Sequence, residues 1–81
     1  MALAPDTRAA LIAEKVRRGE LPAAGKFRLW VGESAGALCQ GCAEEIERKE
    51  LEYEVELPTS ALRLHRECYL AWAHPTRASD R

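Results

Sequence analysis

Cys39-Gln40-Gly41-Cys42 and, after an interval of 22 residues, His65-Arg66-Glu67-Cys68 are the two stretches that decide how this chain folds. Each places two ligand-type residues a few positions apart, and the interval between them has the length of a hairpin. A C-x2-C turn presents two thiolates to one point, and residues three apart share a face of a helix. Three cysteines and one histidine make a full tetrahedral set for zinc, with no position left for water, which is the composition of a structural rather than a catalytic site. Read instead as core residues, the cysteines would be small hydrophobes and His65 a strand end. The two matched spacings favour one metal held by Cys39, Cys42, His65 and Cys68.

The elements around these pairs supply the rest. Beyond Cys42, residues 44–50 are charged except for Ile46, which reads as an anchor beneath the site. Leu51, Tyr53, Val55 and Leu57 then alternate with Glu50, Glu52, Glu54 and Glu56, the pattern of a strand with one apolar face. Pro58-Thr59-Ser60 turns the chain, and residues 61–64 return as the second strand of a hairpin. A helix from about His65 to Ala73 carries Tyr69 and Trp72, expected to complete the core, and ends before Pro75. Upstream, Phe27, Leu29 and Val31 oppose Trp30 in a short extended segment. The stretch from Gly32 to Gly36 reads as a loop that lacks the lysine and hydroxyl of a phosphate-binding motif.

At the N-terminus, Pro5-Asp6-Thr7 starts a helix over residues 6–18, with an apolar stripe of Leu11, Ile12 and Val16. Arg17 and Arg18 complement the negative end of its dipole, and Gly19 is placed to end it. The expectation is therefore a small α+β fold: a zinc-stapled treble-clef finger (knuckle, β-hairpin, helix) preceded by an N-terminal amphipathic helix. Residues 1–26 form helix and linker, 27–74 the finger, and 75–81 a disordered tail.

Composition narrows the function. The chain has 81 residues and a net charge of −1, too small a core to be stable without a staple. An odd count of 3 cysteines, all within the proposed site, argues against a disulfide framework. With no signal-peptide pattern at Met1-Ala-Leu-Ala, that favours a reducing cytoplasm. Charge is polarised: residues 1–28 carry +3, residues 29–57 carry −6 and residues 58–81 carry +2. The acidic block lies inside the finger, where it would repel nucleic-acid phosphates. Glu52, Glu54 and Glu56 read as a solvated strand face with Arg63 across the hairpin. His74 reads as a helix-end residue, not a fifth ligand. No nucleophile–base pair stands out, so catalysis is not expected.

Cys39-x2-Cys42-x3-Ile46 followed by His65-x2-Cys68-Tyr69 resembles the first zinc finger of a LIM domain. A LIM domain continues with four further ligands, whereas Cys68 here is followed by Tyr69-Leu70-Ala71-Trp72. Over residues 8–72 the chain also resembles small, mostly uncharacterised bacterial zinc-finger proteins. That likeness rests on Leu21-Pro22, Trp30-Val31-Gly32, Cys39 to Ile46, Tyr53 to Glu56 and His65 to Tyr69. It implies the finger and one structural zinc, and brings no activity with it. The functional expectation is a zinc-binding protein-interaction module or small regulatory adaptor, with another protein as partner and no membrane. Two alternatives stay open. One is a nucleic-acid-binding regulator using Arg8, Lys15, Arg17, Arg18, Lys26 and Arg28. The other is a thiol or zinc redox sensor using the same thiolates.

Overall fold

A computed structural model describes residues 5–74. The predicted disordered tail at 75–81 lies outside the described residues. Two helices flank a three-stranded antiparallel sheet, an α+β architecture: α1 (Pro5–Arg17), β1 (Arg28–Glu33), β2 (Leu51–Glu56), β3 (Ala61–His65) and α2 (Arg66–Ala73). Among the described residues no helix is long and apolar enough to cross a membrane.

The glutamate-alternating segment is the central strand. Its register places Val55 against Leu62 on one side and Leu29 on the other, so odd-numbered residues share the face turned toward α2. Val55, Leu62 and Leu64 are buried there with Cys68 and Trp72 of α2 and with Ile12, Leu21, Cys39 and Ile46 from outside these elements. The opposite face carries Glu52, Glu54 and Glu56, and Arg63 bonds Glu52 at 3.0 Å, the expected cross-strand pairing. The Tyr69 ring packs against those of both Tyr53 and Trp72, and completes the core as anticipated.

The hairpin expected from sequence has a third strand. β1 pairs along the whole of β2. Sequence alternation marked this segment as extended but held no sign of its partner. The far edge of β3 is also covered: the Gln40 amide donates to the Arg63 carbonyl at 2.9 Å, and the Arg63 amide donates to Gln40 Oε1 at 3.0 Å. Neither edge of the hairpin is therefore free for strand addition, and the open edge of the sheet is that of β1.

α1 ends as its sequence signals. Gly19 adopts φ 81°, and the amides of Glu20 and Leu21 turn back to the Lys15 carbonyl. Leu21 is thereby driven into the core, and the Trp72 indole N–H donates to the Pro22 carbonyl at 2.7 Å. Phe27 stacks on the Trp72 ring. The segment read as a linker is thus pinned across α2, and α1 packs on the same helix.

The loop after β1 holds a buried polar hub. Ser34 Oγ donates to the Ile46 carbonyl at 2.7 Å and accepts the Gly36 amide at 3.0 Å. Its own amide reaches the Glu50 carbonyl, so the backbone of Ser34 ties the loop to the start of β2, while its side chain holds the anchor residue Ile46 and the Gly36 amide. We expect Ser34→Ala to leave these groups short of partners and to cost about 1–3 kcal/mol. Urea unfolding of the metal-loaded protein measures it.

Candidate metal centre

The four predicted ligands come together. The Sγ atoms of Cys39, Cys42 and Cys68 and a ring nitrogen of His65 all lie within 4.8 Å of one another. Tetrahedral zinc–thiolate bonds place sulfurs about 3.8 Å apart, so the cluster needs only slight contraction to close on one ion. Cys39 and Cys68 are buried, Cys42 and His65 half-buried, and all three thiols are free of disulfides.

Local backbone geometry accounts for each placement. The Ile46 amide joins Ala37, and the Cys39 amide donates to the Glu44 carbonyl at 2.8 Å, making a narrow hairpin whose tip is Cys39-Gln40-Gly41-Cys42. The turn closes through the Ala43 amide on the Cys39 carbonyl, with Ala43 at φ 68°, a left-handed conformation unusual for a residue with a Cβ. The amides of Gly41 and His65 both point at Cys39 Sγ, at 3.3 and 3.4 Å. Backbone dipoles so aimed favour thiolate over thiol.

His65 is not on the first turn of the last helix, as its i, i+3 spacing suggested. It is the final residue of β3 and the N-cap of α2, with extended dihedrals. The pair therefore straddles a strand–helix junction: β3 delivers the imidazole and the first turn of α2 delivers Cys68. His65 Nε2 lies 3.1 Å from the Glu45 carbonyl, which can only accept, so the neutral ring carries its proton there. Nδ1 is left with its lone pair toward Cys42 Sγ, 3.4 Å away. A carbonyl behind the imidazole fixes the tautomer in the manner of metal-ligating histidines.

Two side chains of α1 reach the centre. Arg8 Nη1 donates to Cys68 Sγ at 2.8 Å, and Lys15 Nζ donates to the Gln40 carbonyl at 3.3 Å. Burial works against the Arg8 charge, but Cys68, Cys42 and Glu67 outweigh it and hold the guanidinium charged. Sequence reasoning gave both residues a place in a basic arm for nucleic acid. The signal lay in their spacing on the stripe side of Ile12, which becomes informative only once α1 is known to lie against the knuckle.

The two buried thiols are shifted in opposite directions. The Cys39 thiol is lowered to about 4, first by a hydrogen bond from Cys68 and further by the amides of Cys42, His65 and Gly41, against the effect of burial. Cys68 is driven up by the same bond, by burial and by the adjacent Cys39 charge. A cation would be held by the deprotonated thiols, so its binding would release protons. The donor set fits a soft or borderline cation: three sulfurs, one imidazole and no carboxylate. Three thiolates and a dication leave one surplus negative charge, which Arg8 balances.

Gly41 is where helix and knuckle meet. A Cβ there would lie 2.7 Å from Ile12 Cδ1, nearer than such atoms pack, and 3.0 Å from Cys68 Cβ, a tight contact. Comparison with known protein families, curated proteins and solved structures finds no match for the chain, so the centre is argued from its own geometry.

Two outcomes follow from that geometry. Gly41→Ala should push α1 from the knuckle and cost about 1–3 kcal/mol, measured as a lower urea midpoint with the slope unchanged. Arg8→Ala should leave the fold in place but weaken metal binding by roughly tenfold or more, with Arg8→Lys recovering part of the loss. Competition against a chromogenic chelator reads the metal affinity.

Proposed function

We propose that the chain is a treble-clef module whose single metal is structural zinc, and that its role is to present a protein-binding surface. The observation that carries the reading is the closed donor set of Cys39, Cys42, His65 and Cys68 at the junction of knuckle, strand and helix. Zinc is favoured because it accepts sulfur and nitrogen in a tetrahedron without geometric preference of its own. Knuckle, strand pair and ligand-bearing helix follow one another in treble-clef order, with β1 and α1 as additions around it. Four protein ligands leave no coordination position for substrate, so the reading is non-catalytic.

The disposition of charge supports a protein rather than a nucleic acid as partner. Arg8 and Lys15 turn inward to the centre, while Arg17 and Arg18 pair with Glu14 and Glu20. Much of the proposed basic arm is thereby spent, and the sheet presents a row of glutamates to solvent. A redox-sensing role would draw on the same thiolates, and no separate observation favours it.

Elemental analysis should find one zinc per chain, lost in Cys39→Ser and Cys68→Ser. A chelator should abolish the near-ultraviolet signal of Trp72 together with the metal, because the knuckle, β3 and α2 share the ion. The zinc-loaded protein should pass a heparin column at low salt without retention. A folded, metal-free wild type would overturn the zinc reading, and salt-sensitive retention would favour nucleic acid.

A further inference from the structure

Among the described residues, β1 is the strand whose outer edge and both faces meet solvent. All six of its residues are exposed, and Leu29, Trp30 and Val31 stand 37, 55 and 50 % open in succession. Exposed apolar edges are ordinarily guarded by proline, lysine, a bulge or a covering loop. Arg28-Leu29-Trp30-Val31-Gly32-Glu33 has no proline or lysine, and pairs with β2 without a bulge. The ladder phase is set by the Ser34 amide on the Glu50 carbonyl. Even-numbered residues of β1 therefore spend their backbone groups on β2, and those of Leu29, Val31 and Glu33 point to the free edge.

We propose that this edge is the interface of a two-fold homodimer, in which β1 pairs antiparallel with β1 of a second copy about an axis through Trp30. A two-fold normal to the sheet keeps each face continuous, so only residues of like parity can be opposite each other. Centring on Trp30 pairs Leu29 with Val31 of the second copy, twice, and these residues have the outward-pointing backbone groups. Trp30 meets its own counterpart at the close, non-hydrogen-bonded position. Moving the axis to Val31 would instead set Leu29 against Glu33 and Trp30 against glycine, a poorer match on both faces.

Two further observations fit this register. Gly32 has ordinary strand dihedrals and open space where a Cβ would stand, so the chain's own fold does not account for it. In the dimer it lies opposite Arg28 of the second copy. Glycine there lets that arginine extend across the strand toward Glu52, while its other neighbour is its own Glu56, giving a cation between two anions. Arg28 already lies 5.9 Å from the Trp30 ring, and the Trp30 indole N–H donates to Glu56 at 3.3 Å, so the outer face is ordered for the meeting. On the inner face Leu29 borders a hollow of about 200 Å³ beside Phe27, Val55, Tyr69 and Trp72, and Val31 of the second copy would cover its open side. β1 supplies no metal ligand, so the proposal is independent of which ion fills the centre.

Sedimentation of the full chain, purified with its metal, from about 10 μM to about 1 mM should show a monomer–dimer equilibrium. Val31→Lys and Leu29→Glu should each give monomers whose near-ultraviolet spectra match the wild type. Mixing the two should restore a dimer, because this register sets the new lysine of one variant against the new glutamate of the other while the second pair stays Leu–Val. If Leu29→Glu does not fold, Val31→Lys alone decides the question. A wild type that remains monomeric throughout would overturn the proposal, as would a dimer that Val31→Lys leaves intact.

Discussion

Everything in this small structure is referred to the point where the knuckle tip, the end of β3 and the first turn of α2 converge. Each of those segments is too short to order itself. A turn of two thiols, a five-residue strand and an eight-residue helix lose more conformational entropy on folding than their local bonds return. An ion held by the four side chains would change that balance, because coordination would join residues 39 and 65 through one centre without requiring a large apolar core. The apolar core is correspondingly modest and wraps the site: Ile12, Ile46 and Leu64 are its largest fully buried side chains, with Cys39 and Cys68 buried among them.

The coupling does not rest on coordination alone. Gln40 uses both its backbone amide and its side-chain oxygen on Arg63, so the knuckle acts as a one-residue strand against the edge of β3. The same contact brings Cys39 Sγ under the His65 amide. The sheet edge therefore positions the thiolate, and the thiolate satisfies the sheet edge. α1 adds the electrostatic part: a surplus negative charge beside a buried sulfur would be costly in a medium of low polarity, and Arg8 supplies a counter-charge from a helix whose Ile12 is buried in the core. The N-terminal helix is thus tied to the centre by charge as well as by Ile12.

What could be read from the sequence was what neighbouring residues encode. The ligand pairs, Ile46 as anchor, the glutamate face of β2 and Gly19 as helix terminator are all set by spacing within a few positions; the four ligand-type side chains come together, and Ile46, the glutamates and Gly19 stand where spacing placed them. The features that were not legible depend on contacts between distant segments. β1 has the alternation of a strand but no mark of which strand it joins. Ser34 looked like a small loop residue because a serine carries no sign of the carbonyl it will find. Arg8 and Lys15 could be read as part of a basic arm but not as neighbours of the centre, because the helix and the knuckle that receive them lie 60 and 25 residues away in sequence. His65 is the exception among the ligand pairs: a spacing of three fits one helical turn, but it fits a strand end followed by three helical residues equally well.

The division of the sheet into two faces connects the metal centre with whatever the chain binds. Odd-numbered residues of β2 and even-numbered residues of β3 face α2, where Val55, Leu62 and Leu64 are buried with Cys68 and Trp72. That choice commits every glutamate of β2 to the far side, where water or a cation must receive it. Arg63 answers Glu52 from one flank, and Trp30 answers Glu56 from the other. The acidic face is therefore a consequence of building the core on one side of a single sheet. It also decides which chains can lie alongside: a neighbour joining β1 must bring apolar residues to the inner face and cation or aromatic to the outer. β1 itself has that composition.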